Sequence, residues 1–314
     1  MATMVRGSFS DLMDPRFREV ATDEFQKYTE DYIPHLFGMP GATSPQRDTE
    51  RYSEISGLPT AGIFTGTLDY AQFFQGYDTT ASYVEFAQAL QLERTLIEYD
   101  QHNVIDDRIR ALTRSMYRRR QGDALRWLRN GFSVDTFFHN RSEGVALFSN
   151  SHTTTTGAST TAGFDNLTTS SFSATALAAM QIQAHDLRDL QGEPIEVVID
   201  LIAAPIDLYE QVWETVSSMG KVDTANNNRN VHYGAYDMIF FRNKVDFTDV
   251  NDWFGFDKTL LKSLVLWFDQ VYPGGAPEFG TIEDFDTFAS KHRAYMRYTN
   301  VVRDWRFGIG SQVS

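Results

Sequence analysis

The sequence predicts an α+β fold of two interleaved domains. Three observations carry that expectation. A pair of extended runs precedes one long helical segment over 104–130. After the helix, apolar strands alternate with shorter helices. A strand-like run then closes the chain. No internal repeat is evident.

Residues 1–48 read as an arm, with Phe17, Val20, Phe25, Tyr28 and Tyr32 forming an amphipathic stretch between Pro15 and Pro34. GMPGATSP at 38–45 ends it with turn residues. Over 49–97 the character changes. Gly57, Pro59, Gly62 and Gly66 punctuate a first extended run, and DTTASYVEFAQALQLERTLIEYD supplies a second; together they predict a long β-hairpin. In 104–130, Ile105, Ile109, Leu112 and Met116 recur at i, i+4, i+7 and i+11, a narrow apolar stripe that Leu125 and Leu128 continue. Gly122 interrupts the helix at a cost of about 1 kcal/mol relative to alanine, as a kink or as a loop between two helices.

Residues 149–173 hold fourteen Ser or Thr in twenty-five positions, too little apolar surface to offset ordering entropy, so an exposed loop is expected. ATALAAMQIQAHDLRDL then predicts a helix that stops at QGEP, and IEVVIDLIAA a strand buried on both faces. Pro205 opens a further helix with Ile206, Tyr209, Val212, Trp213 and Val216 inward. Short strands are expected around Met238–Phe241 and Ser263–Phe268, with DVNDWFGFD as spacer. A helix-like stretch near Asp284–Lys291 and a strand-like run over 292–310 complete the chain.

The 314 residues carry a formal net charge of −14, too acidic for a protein that coats nucleic acid over its whole surface. The absence of cysteine excludes a disulfide scaffold, a zinc–thiolate site and a cysteine nucleophile. The N-terminus lacks the apolar region of a signal peptide, and the longest apolar stretches are too short to span a bilayer, so a soluble chain without membrane contact is expected. The seven histidines never pair at i, i+3 or i+4, and the HExxH, GxSxG, GxxxxGK[ST] and strand–GxGxxG–helix motifs are absent. Asp106/Asp107, Asp249/Asp252 and Asp207 read as helix-start or turn residues. No catalytic residue, cofactor or metal is expected.

Segment 104–130 carries eight arginines against Asp106, Asp107 and Asp123, a local charge of +5 in an acidic chain. One reading is a solvated face. Like charges at helical spacing repel, however, which favours an external acidic partner: nucleic acid, or another copy of the chain. Residues 46–100 hold nine acids against Arg47, Arg51 and Arg94, a net −6. The expected subunit contact therefore sets Arg108, Arg114, Arg118, Arg119, Arg120 and Arg126 against a neighbour's Glu54, Asp69, Asp78 and Glu85, because the guanidinium fork pairs carboxylates bidentately.

The succession DDRIRALTRSMYRRRQGDALRWLRNGF, GVALFSNSH and NLTTSSFSATAL resembles major capsid proteins of tailed bacteriophages, and among them Mu-type head subunits. GEPIEVVIDLIAAPIDLYEQVWETV, DVNDWFGFD, PGGAPEF and AYMRYTNVVRDWRFG resemble later phrases of the same family in the same order, so the likeness covers most of 98–310. Residues 1–97 resemble it mainly in layout. The resemblance implies the HK-ninety-seven type capsid fold: an N-terminal arm (1–48), an E-loop hairpin (49–97) and a peripheral domain on a spine helix (98–173). An axial domain (174–283) and a return to the peripheral domain (284–314) follow. It implies self-assembly into hexamers and pentamers of an icosahedral shell around double-stranded DNA, in a virion capsid assembled in the host cytoplasm. Scaffolding, portal and decoration proteins are the implied partners.

Some shells of this fold crosslink through a hairpin lysine. Residues 46–100 contain none, so boiled particles are expected to run without covalent ladders on SDS gels. Gly122 is the candidate hinge of the spine helix. An encapsulin-like nanocompartment is the same-fold rival; a DNA-binding protein using the arginine helix is the rival of a different class.

Overall fold

A computed structural model describes residues 10–27, 32–40, 48–64, 66, 68, 70–93, 104–220, 228–242, 247–269, 276–284 and 289–313. Helices α1 (Ser10–Lys27) and α2 (Ile33–Leu36) lead to strands β1 (Thr49–Ile55), β2 (Gln75–Ser82) and β3 (Val84–Glu93). The long helix α3 spans Val104–Arg129. Strands β4 (His139–Arg141) and β5 (Leu167–Thr168), helix α4 (Ala174–His185) and strand β6 (Leu201–Pro205) follow. A 3-10 turn, Ile206–Leu208, opens α5 (Tyr209–Ser217), and then come β7 (Asp237–Phe241), β8 (Trp253–Phe256), α6 (Lys258–Leu264) and β9 (Val265–Asp269). The chain ends with β10 (Glu278–Glu283), β11 (Ala289–Val302) and β12 (Gly308–Ser311).

The strands form three sheets, ordered β1–β2–β4, then β10–β11–β3 with β9 also on β11, and β5–β12–β8–β6–β7. Helix α3 sinks its apolar stripe into the core it shares with the β3–β11 sheet. Ile105, Ile109, Leu112 and Met116 are all buried there, each contributing about 1.5–3 kcal/mol by area. Phe17 and Ala21 of α1 join that core, with the Phe17 ring edge-on to Phe279 at 5.5 Å. A second core gathers Leu177 and Met180 of α4, Ile202, Val212, Trp253 and Trp305. Ser173 caps α4 by accepting from Ala176 N–H at 3.1 Å. Among the described residues no helix is long and apolar enough to cross a membrane.

The second extended run divides at Tyr83. Its first half, β2, pairs antiparallel with β1, and its second half leaves for β11, so the hairpin proper is β1–β2. Helix α3 continues through Gly122, so of the two alternatives there, a kink or a loop, the loop is not formed. Of IEVVIDLIAA only the end forms a strand, while Val197 and Ile199 alternate inward as unpaired extended chain. The 3-10 turn delays α5, and Leu208, Val212 and Val216 become its inward stripe. Tyr209 and Trp213, expected inward, lie one residue further round and are exposed.

The spacer DVNDWFGFD contains β8, a strand with Trp253, Phe254 and Phe256 buried. Asp257 caps α6 through Thr259 and Leu260 N–H, which holds Ser263 and Leu264 in helix and delays β9 to Val265. Near 284–291 the expected helix is replaced at Ala289–Lys291 by strand, since these residues ladder with Glu93–Gln91; 285–288 lie outside the described residues.

Sheet pairing runs across the expected division at 283/284. Strands β9 and β10 pair with β11 across it, and β12 joins β8 rather than the β11 sheet. A break at 303–307 carries the chain end from one sheet to the other.

Candidate functional site

Beyond the β1–β2 ladder a backbone bond runs from Ser56 N–H to Phe74 O at 2.9 Å, and the described residues between them form the tip. This tip exposes apolar side chains: Ile63 is 93% exposed, Tyr70 85% and Leu68 71%, with Leu58, Phe64 and Phe73 also exposed. Such a concentration of exposed apolar side chains marks an interaction surface, since each gains about 1.5–3 kcal/mol if fully covered.

The base of the hairpin is seated in a polar cradle. Gln191 Nε2 donates to Ser56 Oγ and Gly57 O, both at 3.0 Å, and to Gln72 O at 3.3 Å. Thr155 Oγ1 donates to Gln75 O at 3.0 Å, and the Tyr77 and Thr153 hydroxyls lie 2.7 Å apart. A Cβ at Gly76 would lie 2.6 Å from Leu190 Cδ1 and 3.0 Å from Glu54 Cβ, so a larger residue there makes the cradle shift. The Ser/Thr-rich segment is thus mostly an exposed loop that is pinned by buried His152, Phe164, Asn166 and Phe172 and holds the hairpin.

Within the cradle lies a buried charge network. Glu54 on β1 accepts from Arg141 of β4 at 3.2 Å and from Arg306. Arg306 NH1 also reaches both Asp304 oxygens at 3.0 and 3.1 Å. Arg141 Nε lies 3.0 Å from Glu143 Oε2, and Glu143 Oε1 lies 3.1 Å from His152 Nδ1. Burial, and then the Asp304 charge, push the Glu54 carboxyl up, against Arg141 and Arg306. Burial also disfavours ionised Asp304, but Arg306 and Arg141 outweigh it and hold that carboxyl below its usual range.

The arginine helix is more self-contained than its charge suggests. Arg120, 1% exposed, forks onto Asp269 and lies 5.0 Å from the Trp267 ring. Arg119 donates to Asp123 Oδ2 at 2.8 Å and covers Phe86; Asp123 also accepts from Tyr298 at 2.8 Å. Arg126 grips Asp135 at 2.7 and 3.1 Å, and Arg114 donates to Glu24 of α1 at 3.0 Å. Arg108 and Arg118 are exposed and make no ion pair among the described residues.

Of the hairpin acids, Asp78 pairs with Arg51 and accepts from Ser53, and Glu85 lies 3.8 Å from Arg297. Asp69 lies outside the described residues. No helix arginine meets a hairpin acid within the chain among these contacts. Arg120 and Glu54 are corrected as subunit contacts: both are interior and already paired, so neither presents a charge to a neighbour. Sequence reasoning missed Arg141, Glu143, His152, Asp304 and Arg306. The one signal was RDWR, three charges set between the apolar Val301–Val302 and Phe307–Ile309. Among the described residues no group of three His, Asp or Glu is placed to hold a metal.

No known protein family and no curated protein matches the chain by sequence. Its architecture is the capsid fold of tailed phages. The capsid of the native GTA particle matches with a TM-score of 0.56 at 7% identity over 91% of each chain. The mature capsid of bacteriophage PhiM1 gives 0.56 at 8% identity over 91% of this chain and 88% of that one. The capsid of Ralstonia phage GP4 gives 0.55 at 10% identity over 91% and 92%.

Proposed function

We propose that this chain is a major capsid protein of the Mu-type head family, with a structural and non-catalytic role. It assembles into hexamers and pentamers of a phage head around double-stranded DNA, alongside scaffolding, portal and decoration proteins. The observation that carries the reading is fold likeness to phage capsids over nine-tenths of the chain. The apolar hairpin tip, unpartnered among the described residues, supports it, since a neighbouring copy is the cover a shell supplies. Residues 1–48 act as the arm, 49–97 as the hairpin contact and 98–173 as the peripheral domain; 174–283 act as the axial domain except where β9 and β10 join the β11 sheet.

Negative-stain microscopy of the expressed chain tests this: closed megadalton particles are expected, and a persistent 35.8 kDa monomer or small oligomer with steep salt-dependent DNA affinity overturns it. Nuclease-protected DNA inside particles from infected cells separates a phage head from a cargo compartment. Gly122 serves as a hinge of α3 during maturation. Gly122→Ala stiffens the helix by about 1 kcal/mol and is expected to shift the immature-to-mature transition; an unchanged transition counts against the hinge.

A further inference from the structure

The hydrogen bonds around His152 assign its protons. The ring is 2% exposed and stacks on Trp305 at 4.0 Å with an interplanar angle of 4°. Its Nδ1 faces Glu143 Oε1 at 3.1 Å, while Nε2 faces Asn166 Oδ1 at 3.1 Å and Leu147 O at 3.3 Å. The orientation of Asn166 is set independently of the histidine. Its Nδ2 points at three carbonyl oxygens, of Leu147, Trp305 and Gly308, and its Oδ1 accepts from Ser149 N–H at 2.8 Å. Nε2 therefore meets only acceptors. Glu143 is placed as a carboxylate independently of the histidine: its Oε1 accepts from Thr153 N–H at 2.9 Å and its Oε2 lies 3.0 Å from Arg141 Nε. Both ring nitrogens thus face acceptors, and only the doubly protonated ring donates to both.

Charge counting leads to the same place. Glu54, Glu143 and Asp304 set three negative charges against Arg141 and Arg306 in a buried network. Both Glu54 oxygens accept from guanidinium groups, contacts that favour its carboxylate against the upward push of burial and Asp304. Glu143 is the charged group His152 touches; Arg141 stands behind Glu143, and Arg306 lies 4.5 Å from the Trp305 ring on which His152 stacks. A cation against the indole face is favourable.

We propose that His152 is an imidazolium completing a neutral six-group network, and that this charge latches the hairpin base through Glu143, Arg141 and Glu54. When the ring is neutral, the network carries one uncompensated buried negative charge, and the grip on β1 weakens. The latch belongs to one chain and stands whether or not chains assemble into a shell.

Hydrogen exchange of the β1 and β2 amides, read by mass spectrometry at one fixed pH on the full chain, tests the latch. His152→Gln, which keeps a donor but removes the charge, is expected to raise β1–β2 exchange about tenfold, equivalent to about 1.4 kcal/mol. Adding Glu143→Gln restores neutrality and is expected to slow exchange back toward wild type. A double variant that exchanges as fast as His152→Gln, or a single variant like wild type, overturns the proposal. Should His152→Gln not fold, nitrogen-15 NMR of histidine-labelled wild type at pH 7 decides: two protonated ring nitrogens at His152 support the latch, and one refutes it.

Discussion

The arginine helix and the hairpin divide their polar and apolar groups in opposite ways. Helix α3 is conspicuous for charge, yet four of its six candidate arginines are paired within the chain, one of them inside the core. The hairpin is conspicuous for acids, yet its innermost acid is buried at the base while its tip presents apolar side chains to solvent. Charge on a helix is thus a poor guide to what a neighbour must cover. Exposed ion pairs gain little, about 0–1 kcal/mol, whereas an uncovered isoleucine or tyrosine forgoes several times that.

The contrast is broken most decisively at the tip. Ile63→Asp with Tyr70→Asp is expected to abolish particles on sizing columns, while subunit unfolding shifts by no more than about 0.5 kcal/mol per site. Abundant particles from this variant make the tip dispensable. The helix behaves in the reverse manner at Arg120. Arg120→Ala leaves Asp269 without its guanidinium partner and is expected to cost about 3–5 kcal/mol in denaturant unfolding of the subunit. A loss below about 1 kcal/mol places that pair among ordinary surface pairs.

Acid separates the two regions by sign. The Ser53 hydroxyl, then Arg51, hold Asp78 on the hairpin at about 2, below its ordinary 3.8. Its contribution is therefore fully present above about 3.8 and lost as pH falls through about 2. Asp123 on the helix is raised by burial, with Tyr298 and Arg119 opposing, so its contribution is present below 3.8 and lost as pH rises through its folded value. Asp78→Asn is expected to flatten the acid limb of the stability profile and Asp123→Asn to steepen its rise above pH 3.8; unfolding curves taken every half unit of pH decide it. The smallest effect belongs to Arg108 and Arg118. Arg108→Ala with Arg118→Ala is expected to leave subunit stability within about 0.5 kcal/mol per site yet reduce the salt dependence of assembly seen by light scattering. Unchanged salt dependence removes both from the subunit contact.

Legibility followed the range of the interaction. The stripe Ile105, Ile109, Leu112 and Met116 identified α3 to within a residue at each end, because helical periodicity is local. Strand β8 was hidden because a strand buried on both faces has no alternation to display. Tyr209 and Trp213 were misplaced by a 3-10 turn that shifts the helical phase without a marker in composition. In the candidate site, the tip aromatics were visible as residues but not as exposed ones. The network at the hairpin base unites positions 54, 141, 143, 152, 304 and 306, a separation no motif spans.

The sequence by itself determined the α+β class, the long helix, the lysine-free hairpin segment and the order of phrases that resembles a capsid subunit. All of these rest on periodicity, composition or short spacings. Only the tertiary structure decided which arginines are spent inside the chain, where β9, β10 and β12 belong, and how six distant ionisable groups meet beneath the hairpin. Those outcomes depend on burial and on partners far away in the chain. Desolvation makes a charge seek whichever partner the fold brings close, not one that stands near it in sequence.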